Sequence, residues 1–158
     1  MNKLSPKSGF KLSPKTSDNS SLTVYAVGTA YSLTNTAALL DFGTTDPSLT
    51  LTQPGTYLIL GRAELDYNGA TFAASRTVTL KLRRTNNTAA DVANSSLVSK
   101  TEITTTVTAT FGDFMLPPVI YTTPRGNDII QIFGDVETVP SAGSLDASSA
   151  DIVAIRLT

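Results

Sequence analysis

Along residues 22–157 large apolar side chains recur at every second position, broken every four to twelve residues by glycine, proline, asparagine or aspartate. In Thr56–Tyr67 one face takes Tyr57, Ile59, Ala63, Leu65 and Tyr67, and the other takes Leu58, Leu60, Arg62, Glu64 and Asp66. In Arg76–Arg84, Val78, Leu80 and Leu82 oppose Thr77, Thr79, Lys81 and Arg83. In Glu102–Phe111, Ile103, Val107, Ala109 and Phe111 oppose Glu102 and a row of threonines. A period of two puts alternate side chains on opposite faces of a strand. Shorter runs of the same kind are Leu22–Leu33, Ala37–Phe42, Leu49–Leu51, Val119–Tyr121, Asp128–Val136 and Ile152–Leu157. Turn residues separate them at Asn35, Gly43, Asp46-Pro47, Pro54-Gly55, Asn68-Gly69, Asn86-Asn87, Gly112-Asp113, Pro117-Pro118, Pro124-Arg125-Gly126, Pro140 and Gly143. No window carries the i, i+3, i+4, i+7 stripe of a helix. The pattern predicts about eight to ten short antiparallel strands, an all-β sandwich or jelly roll.

Composition agrees and narrows the chemistry. The 158 residues suit one domain with a sizeable core, and 16% charged residues is a low fraction. Hydroxyls replace the missing charge, with 25 Thr and 16 Ser, a β-branched and polar mixture suited to pleated sheets. The absence of Cys excludes disulfides, thiolate nucleophiles and zinc fingers, and the absence of His excludes imidazole ligands and Ser-His dyads. No apolar run approaches the roughly 20 residues that cross a bilayer, and the first residues lack the apolar core of a secretory signal. The expected product is soluble and made without Sec export.

Charge divides the chain in two. Residues 1–21 hold four lysines against one aspartate, net +3, while residues 22–158 hold eight basic and twelve acidic groups, net −4. The first segment has six Ser, two Pro and few large apolar residues, and reads as a flexible or extended arm ahead of a single domain over 22–158. Within it, Lys3-Leu4-Ser5-Pro6-Lys7 recurs as Lys11-Leu12-Ser13-Pro14-Lys15. The prolines favour extended backbone over a helix. Such an arm serves either as a solubilising tail or as a docking strap, with Leu4, Phe10 and Leu12 as anchors between lysines.

Three segments carry a likeness to a known family. Leu40-Asp41-Phe42 is followed by Asp46-Pro47-Ser48-Leu49-Thr50-Leu51 and by Pro54-Gly55-Thr56-Tyr57-Leu58-Ile59. Together they resemble the C1q/TNF-like jelly roll, which sets an apolar strand, a short strand ending in a proline-glycine turn and an aromatic-led core strand in that order. Gly112-Asp113 resembles the glycine-aspartate turn of C1q-like domains. Asn127–Ile132 and Ile152–Leu157 would be the last two strands, the final one beside an early strand. The resemblance covers about residues 22–158 and implies a homotrimer. Leu58 and Leu60, apolar on the face opposite the core, need a cover, supplied either by a neighbouring subunit or by a loop of the same chain. The chain lacks the collagenous stem of secreted C1q-like proteins and the membrane stalk of TNF-like cytokines. It thereby resembles the trimeric jelly rolls of tailed-phage head decoration proteins and head fibres.

Catalytic constellations are absent. Glu64 and Asp66, two apart on one strand face, match a carboxylate pair in type, yet such pairs on solvated faces are ordinary surface charge. The basic cluster Lys81, Arg83, Arg84 is expected across the same sheet from them. Asp41, Asp46, Asp113, Asp128, Asp135 and Asp146 fall near strand ends, but none has the dense spacing of a calcium loop. No metal, cofactor, nucleic acid or membrane partner is expected. The expected function is that of a non-enzymatic virion structural protein on the capsid surface. Lys3, Leu4, Lys7, Phe10, Lys11, Leu12 and Lys15 would contact the major capsid protein or another virion protein. The alternative is a glycan-binding tip of a tail or fibre, using loops 68–76, 86–100 and 140–150, whose only aromatic is Phe72.

Overall fold

The computed structural model describes residues 21–101 and 107–158, so the basic segment 1–20, with all seven expected anchoring residues, lies outside the described residues. Eleven strands and no helix occur among the described residues. They are β1 (Ser21–Ser32), β2 (Ala38–Leu39), β3 (Ser48–Leu51), β4 (Gly55–Thr71), β5 (Thr77–Arg84), β6 (Ala90–Asp91), β7 (Leu97–Lys100), β8 (Val107–Met115), β9 (Val119–Thr123), β10 (Asp128–Val136) and β11 (Ala142–Arg156).

Every pairing is antiparallel. The first sheet runs β1-β11-β4, and β8 and β9 share the far edge of β4. The second sheet centres on β10 and β5, with β2 and β3 along β10 and β6 and β7 along β5. Each short pair occupies successive stretches of one partner and acts as a single broken strand. Eight strands remain, ordered first, eighth, third, sixth in one sheet and second, seventh, fourth, fifth in the other. That order is the jelly roll.

Strict alternation builds the core. The face of β4 carrying Tyr57, Ile59, Ala63, Leu65 and Tyr67 is buried, as is the Val78, Leu80, Leu82 face of β5. Ile130 and Ile132 of β10 and Ile152 and Ala154 of β11 complete the layer between the sheets. Burial at about 25 cal/mol per Å² of apolar surface makes these positions the main source of stability.

Three expected boundaries move, each because of a bulge. Asn68-Gly69 is not the end of β4, since the strand runs 17 residues and passes through Gly69 at φ +63°. Gly112-Asp113 is not a turn. Leu65 pairs with Gly112 and Asp66 with Thr110, so Phe111 is an extra residue inside β8 and both Gly112 and Asp113 are strand. The expected loop 140–150 is strand from Ala142 onward, with register shifts between Ala142 and Ser144 and between Ala147 and Ser149.

Candidate assembly face

The outer face of the first sheet is the feature that water alone does not explain. Residues directly opposite in antiparallel strands share a face, so the register gives its rows. Leu58 lies between Ile155 and Ile120, Leu60 is opposite Val153, and Arg62 lies between Asp151 and Met115. Tyr25 of β1 is opposite Asp151, and Val27 is opposite Ser149. Ile120 is 64% exposed, Met115 59%, Tyr25 54% and Val27 48%, four of the seven large apolar side chains left exposed among the described residues. Leu58, Leu60, Val153 and Ile155 are half-buried beneath them. The expectation that Leu58 and Leu60 sit opposite the core is met. The same face carries six further apolar residues, Tyr25, Val27, Met115, Ile120, Val153 and Ile155, which no single strand's alternation brings together. Their signal was present in Val119-Ile120-Tyr121 and Val24-Tyr25-Ala26-Val27, where apolar residues occupy both faces of a strand.

From Arg62 onward charge enters this face, with Glu64 and Asp66 next along β4. Arg62 lies 3.3 Å from Asp113 and 2.9 Å from Asp151 through Nε. That nitrogen has no aligned hydrogen-bond acceptor although it is buried. The basic cluster expected beside Arg62 and Glu64 is not there. Lys81, Arg83 and Arg84 lie on β5, in the other sheet, where Lys81 pairs with Asp91 at 2.9 Å and Arg83 lies over the Phe133 ring. Alternation within each strand was readable, but which strands share a sheet was not.

The carboxylates are spent on local structure. Asp41 accepts from the Gly43 amide at 2.7 Å, and Asp146 accepts from Ser32 Oγ at 2.7 Å and Asn68 Nδ2 at 3.3 Å. Ser149 Oγ donates to Glu64 at 3.2 Å. Burial pushes the carboxyls of Asp46 and Asp135 up, helped at Asp46 by the charge of Asp41. Among the described residues no group of three or more acidic side chains is placed to hold a metal ion. Phe72, the one aromatic of the three loops offered for glycan binding, is 2% exposed and touches Tyr67 edge-on, so it cannot stack on a sugar.

A second polar cluster lies at the end of the sandwich where β1 begins. Asp128 is buried at the start of β10 and accepts from Tyr121 OH at 2.8 Å and Asn87 Nδ2 at 3.1 Å. Burial alone would raise its carboxyl, but hydrogen bonds from Asn87, Thr123 and Tyr121, with Arg84 nearby, hold it below the usual carboxylate range. Burial and the bond to Asp128 push the Tyr121 hydroxyl up. A carboxyl lowered in the folded state binds fewer protons there than in the unfolded chain. Its contribution is therefore present above the usual carboxylate range and lost as pH falls through the folded value, below about pH 4. Asp128→Asn is expected to lose about 1–3 kcal/mol at neutral pH, and urea unfolding at pH 7 and pH 3 should show a smaller difference than in the parent.

Comparison with known proteins adds likenesses of shape only. No family model matches the chain, and no curated protein matches its sequence. The globular domain of zebrafish complement 1qA protein aligns at 14% identity over 87% of this chain and 97% of its own, with TM-score 0.47. The structure of infectious bursal disease virus Gx strain aligns at 13% identity over 96% of this chain but 38% of its own, with TM-score 0.46. Eiger TNF from S. frugiperda aligns at 11% identity over 87% of this chain and 93% of its own, with TM-score 0.43. The fold assignment rests on the strand order described above.

Proposed function

We propose that this chain is a non-enzymatic structural protein of a virion, a homotrimer that decorates the capsid surface and is anchored there by residues 1–21. The observation that carries the assembly half of this reading is the exposed apolar outer face of the first sheet, centred on Leu58, Leu60 and Ile120. Two further copies of the chain are its occupants, as the C1q/TNF-like resemblance of Leu40–Ile59 implies. The anchoring half is supported by the charge split of +3 against −4 and by the repeated Lys-Leu-Ser-Pro-Lys segment.

Position supports the division of labour. β1 begins at Ser21 opposite Ile155, so the basic segment joins the domain at one end of the sandwich, next to the apolar rows. Three such segments on one trimer act at a mutual effective concentration in the millimolar range, and weak individual docking sums to firm attachment. Lys3, Leu4, Lys7, Phe10, Lys11, Leu12 and Lys15 are the proposed contacts with the major capsid protein or another virion protein. Removal of residues 1–20 should abolish cosedimentation with undecorated capsids while the remaining domain keeps its circular dichroism spectrum. Retention of full-length affinity by the shortened protein would overturn the anchoring role.

A further inference from the structure

The end of the sandwich where the chain joins β1 holds a cavity of about 580 Å³, bounded by the β5–β6 turn and the β9–β10 loop. Its lining includes Arg84, Asn87, Thr88, Thr123, Arg125 and Asn127. We propose that this cavity binds an acidic monosaccharide, its carboxylate held between Arg84 and Arg125 and its hydroxyls met by the exposed side chains of Asn87, Thr88 and Asn127.

Three observations support the assignment. The first is an excess of positive charge. Arg125 is exposed, and among the described residues it has neither an ion-pair nor a hydrogen-bond partner. Arg84 has no carboxylate within ion-pair distance there either. Its Nε and Nη2 both donate to the Thr88 carbonyl, at 3.1 and 2.8 Å, and Nη1 reaches only the Tyr121 hydroxyl at 3.5 Å. One edge of the guanidinium is thus fixed and the other retains donors for a planar, bidentate acceptor. Asp128, the one carboxylate in the wall, is buried and taken up by Tyr121 and Asn87. The lining therefore carries two positive groups against one inward-tied negative one.

The second is backbone strain gathered at this cavity. Asn87 (φ +48°), Thr88 (φ +77°) and Asn127 (φ +60°) are three of the four non-glycine residues with left-handed backbone among the described residues, and Gly126 (φ +71°) lies between them in the lining. A β-branched residue is poorly suited to that region, and glycine would relieve the strain at Thr88. Yet the Thr88 carbonyl, set by that conformation, is what aims Arg84. Strain of this kind persists where the surroundings over-determine it, and it gathers at ligand sites.

The third is rigidity. Asn86 accepts from the Ile129 amide at 2.7 Å through Oδ1 and donates to the Asn127 carbonyl, which staples the β5–β6 turn to β10. Gly126 N bonds Thr123 Oγ1 at 3.0 Å within the opposite wall. Walls whose backbone is fixed in this way reduce the ordering entropy lost on binding, leaving chiefly the Arg125 side chain to be ordered. Its volume suits a sugar ring better than a single carboxylate. Hydroxyl and amide groups beside two arginines fit a polyhydroxylated acid. This inference does not depend on the trimer or on capsid attachment.

The test is calorimetric titration of the full-length protein with N-acetylneuraminic acid and glucuronic acid, with galactose and acetate as controls. The acidic sugars should bind at least about tenfold more tightly than either control, since neither control offers the acid and the hydroxyls together. Arg125→Gln, at an exposed residue without partners in the described fold, should weaken that binding by about tenfold or more, and Arg84→Gln should remove it. Absence of binding at about 20 mM acidic sugar would overturn the proposal. So would acetate binding as tightly as the sugars, or affinity unchanged in Arg125→Gln.

Discussion

Gly143→Ala is expected to lower the melting temperature by roughly 10 °C, while Gly69→Ala, at the paired bulge, lowers it by only a few degrees. Both glycines sit at left-handed φ, +65° and +63°. They differ in what a Cβ would meet. At Gly69 it points into open space, whereas at Gly143 it lands on the backbone of Gly69 and Asn68. The left-handed penalty of about 1–2 kcal/mol is common to the two, and the backbone collision adds about 1–3 kcal/mol at Gly143 alone. Differential scanning calorimetry of the two variants measures the difference. Equal losses would mean that β11 and β4 do not cross as closely as this register requires.

Ile120→Glu is expected to convert the proposed trimer to a monomer without unfolding the chain. Ile120 is 64% exposed in the single chain, so a carboxylate there is solvated and leaves the β-sheet spectrum unchanged. In the proposed trimer the same carboxylate would enter an apolar contact in the row of Leu58 and Ile155, with no cation opposite it on β4, the one strand that β9 pairs with. An unpaired buried charge costs several kcal/mol, and it would recur in each of three subunits. Every 1.4 kcal/mol is about tenfold in the dissociation constant, so the loss is far larger than gradual weakening. Leu58→Glu should behave alike, whereas Val98→Glu, an equally exposed site on β7 at the edge of the other sheet, should leave the assembly intact. Sedimentation velocity distinguishes the species. A trimer that survives both Ile120→Glu and Leu58→Glu would place the contact elsewhere.

Much of this fold was legible in the chain because the two faces of β5 and of the second half of β4 differ sharply in polarity. Tyr57, Ile59 and Leu65 against Arg62, Glu64 and Asp66 leave one way to bury the strand. β11 was half hidden for the opposite reason. Ala142 to Ala150 is a run of Ala, Gly, Ser and Asp around a single leucine, residues of low strand propensity, and two bulges break its period. It is a strand because it lies between β1 and β4, where small side chains fit and Ala147, Ala150 and Asp146 are buried. Long-range pairing overrode local preference there.

The sites divided along the same line. Leu58 and Leu60 announced themselves as apolar residues on a polar face. Ile120 and Met115 join them only through the pairing of β9 and β8 with successive halves of β4, a relation between segments more than 50 residues apart. Arg84 stood out in sequence only within a basic cluster and Arg125 only within a turn, with nothing to join the two. The left-handed turns at Asn87-Thr88 and Gly126-Asn127 are what bring them to one cavity.

The most direct test of the assembly at the centre of this account is the native mass of the full-length protein, measured by light scattering after gel filtration across a wide concentration range, beside a chain beginning at Ser21. The account predicts three times the chain mass for both, with the outer face of the first sheet as the contact and residues 1–20 left for attachment. A monomer at every concentration would contradict it.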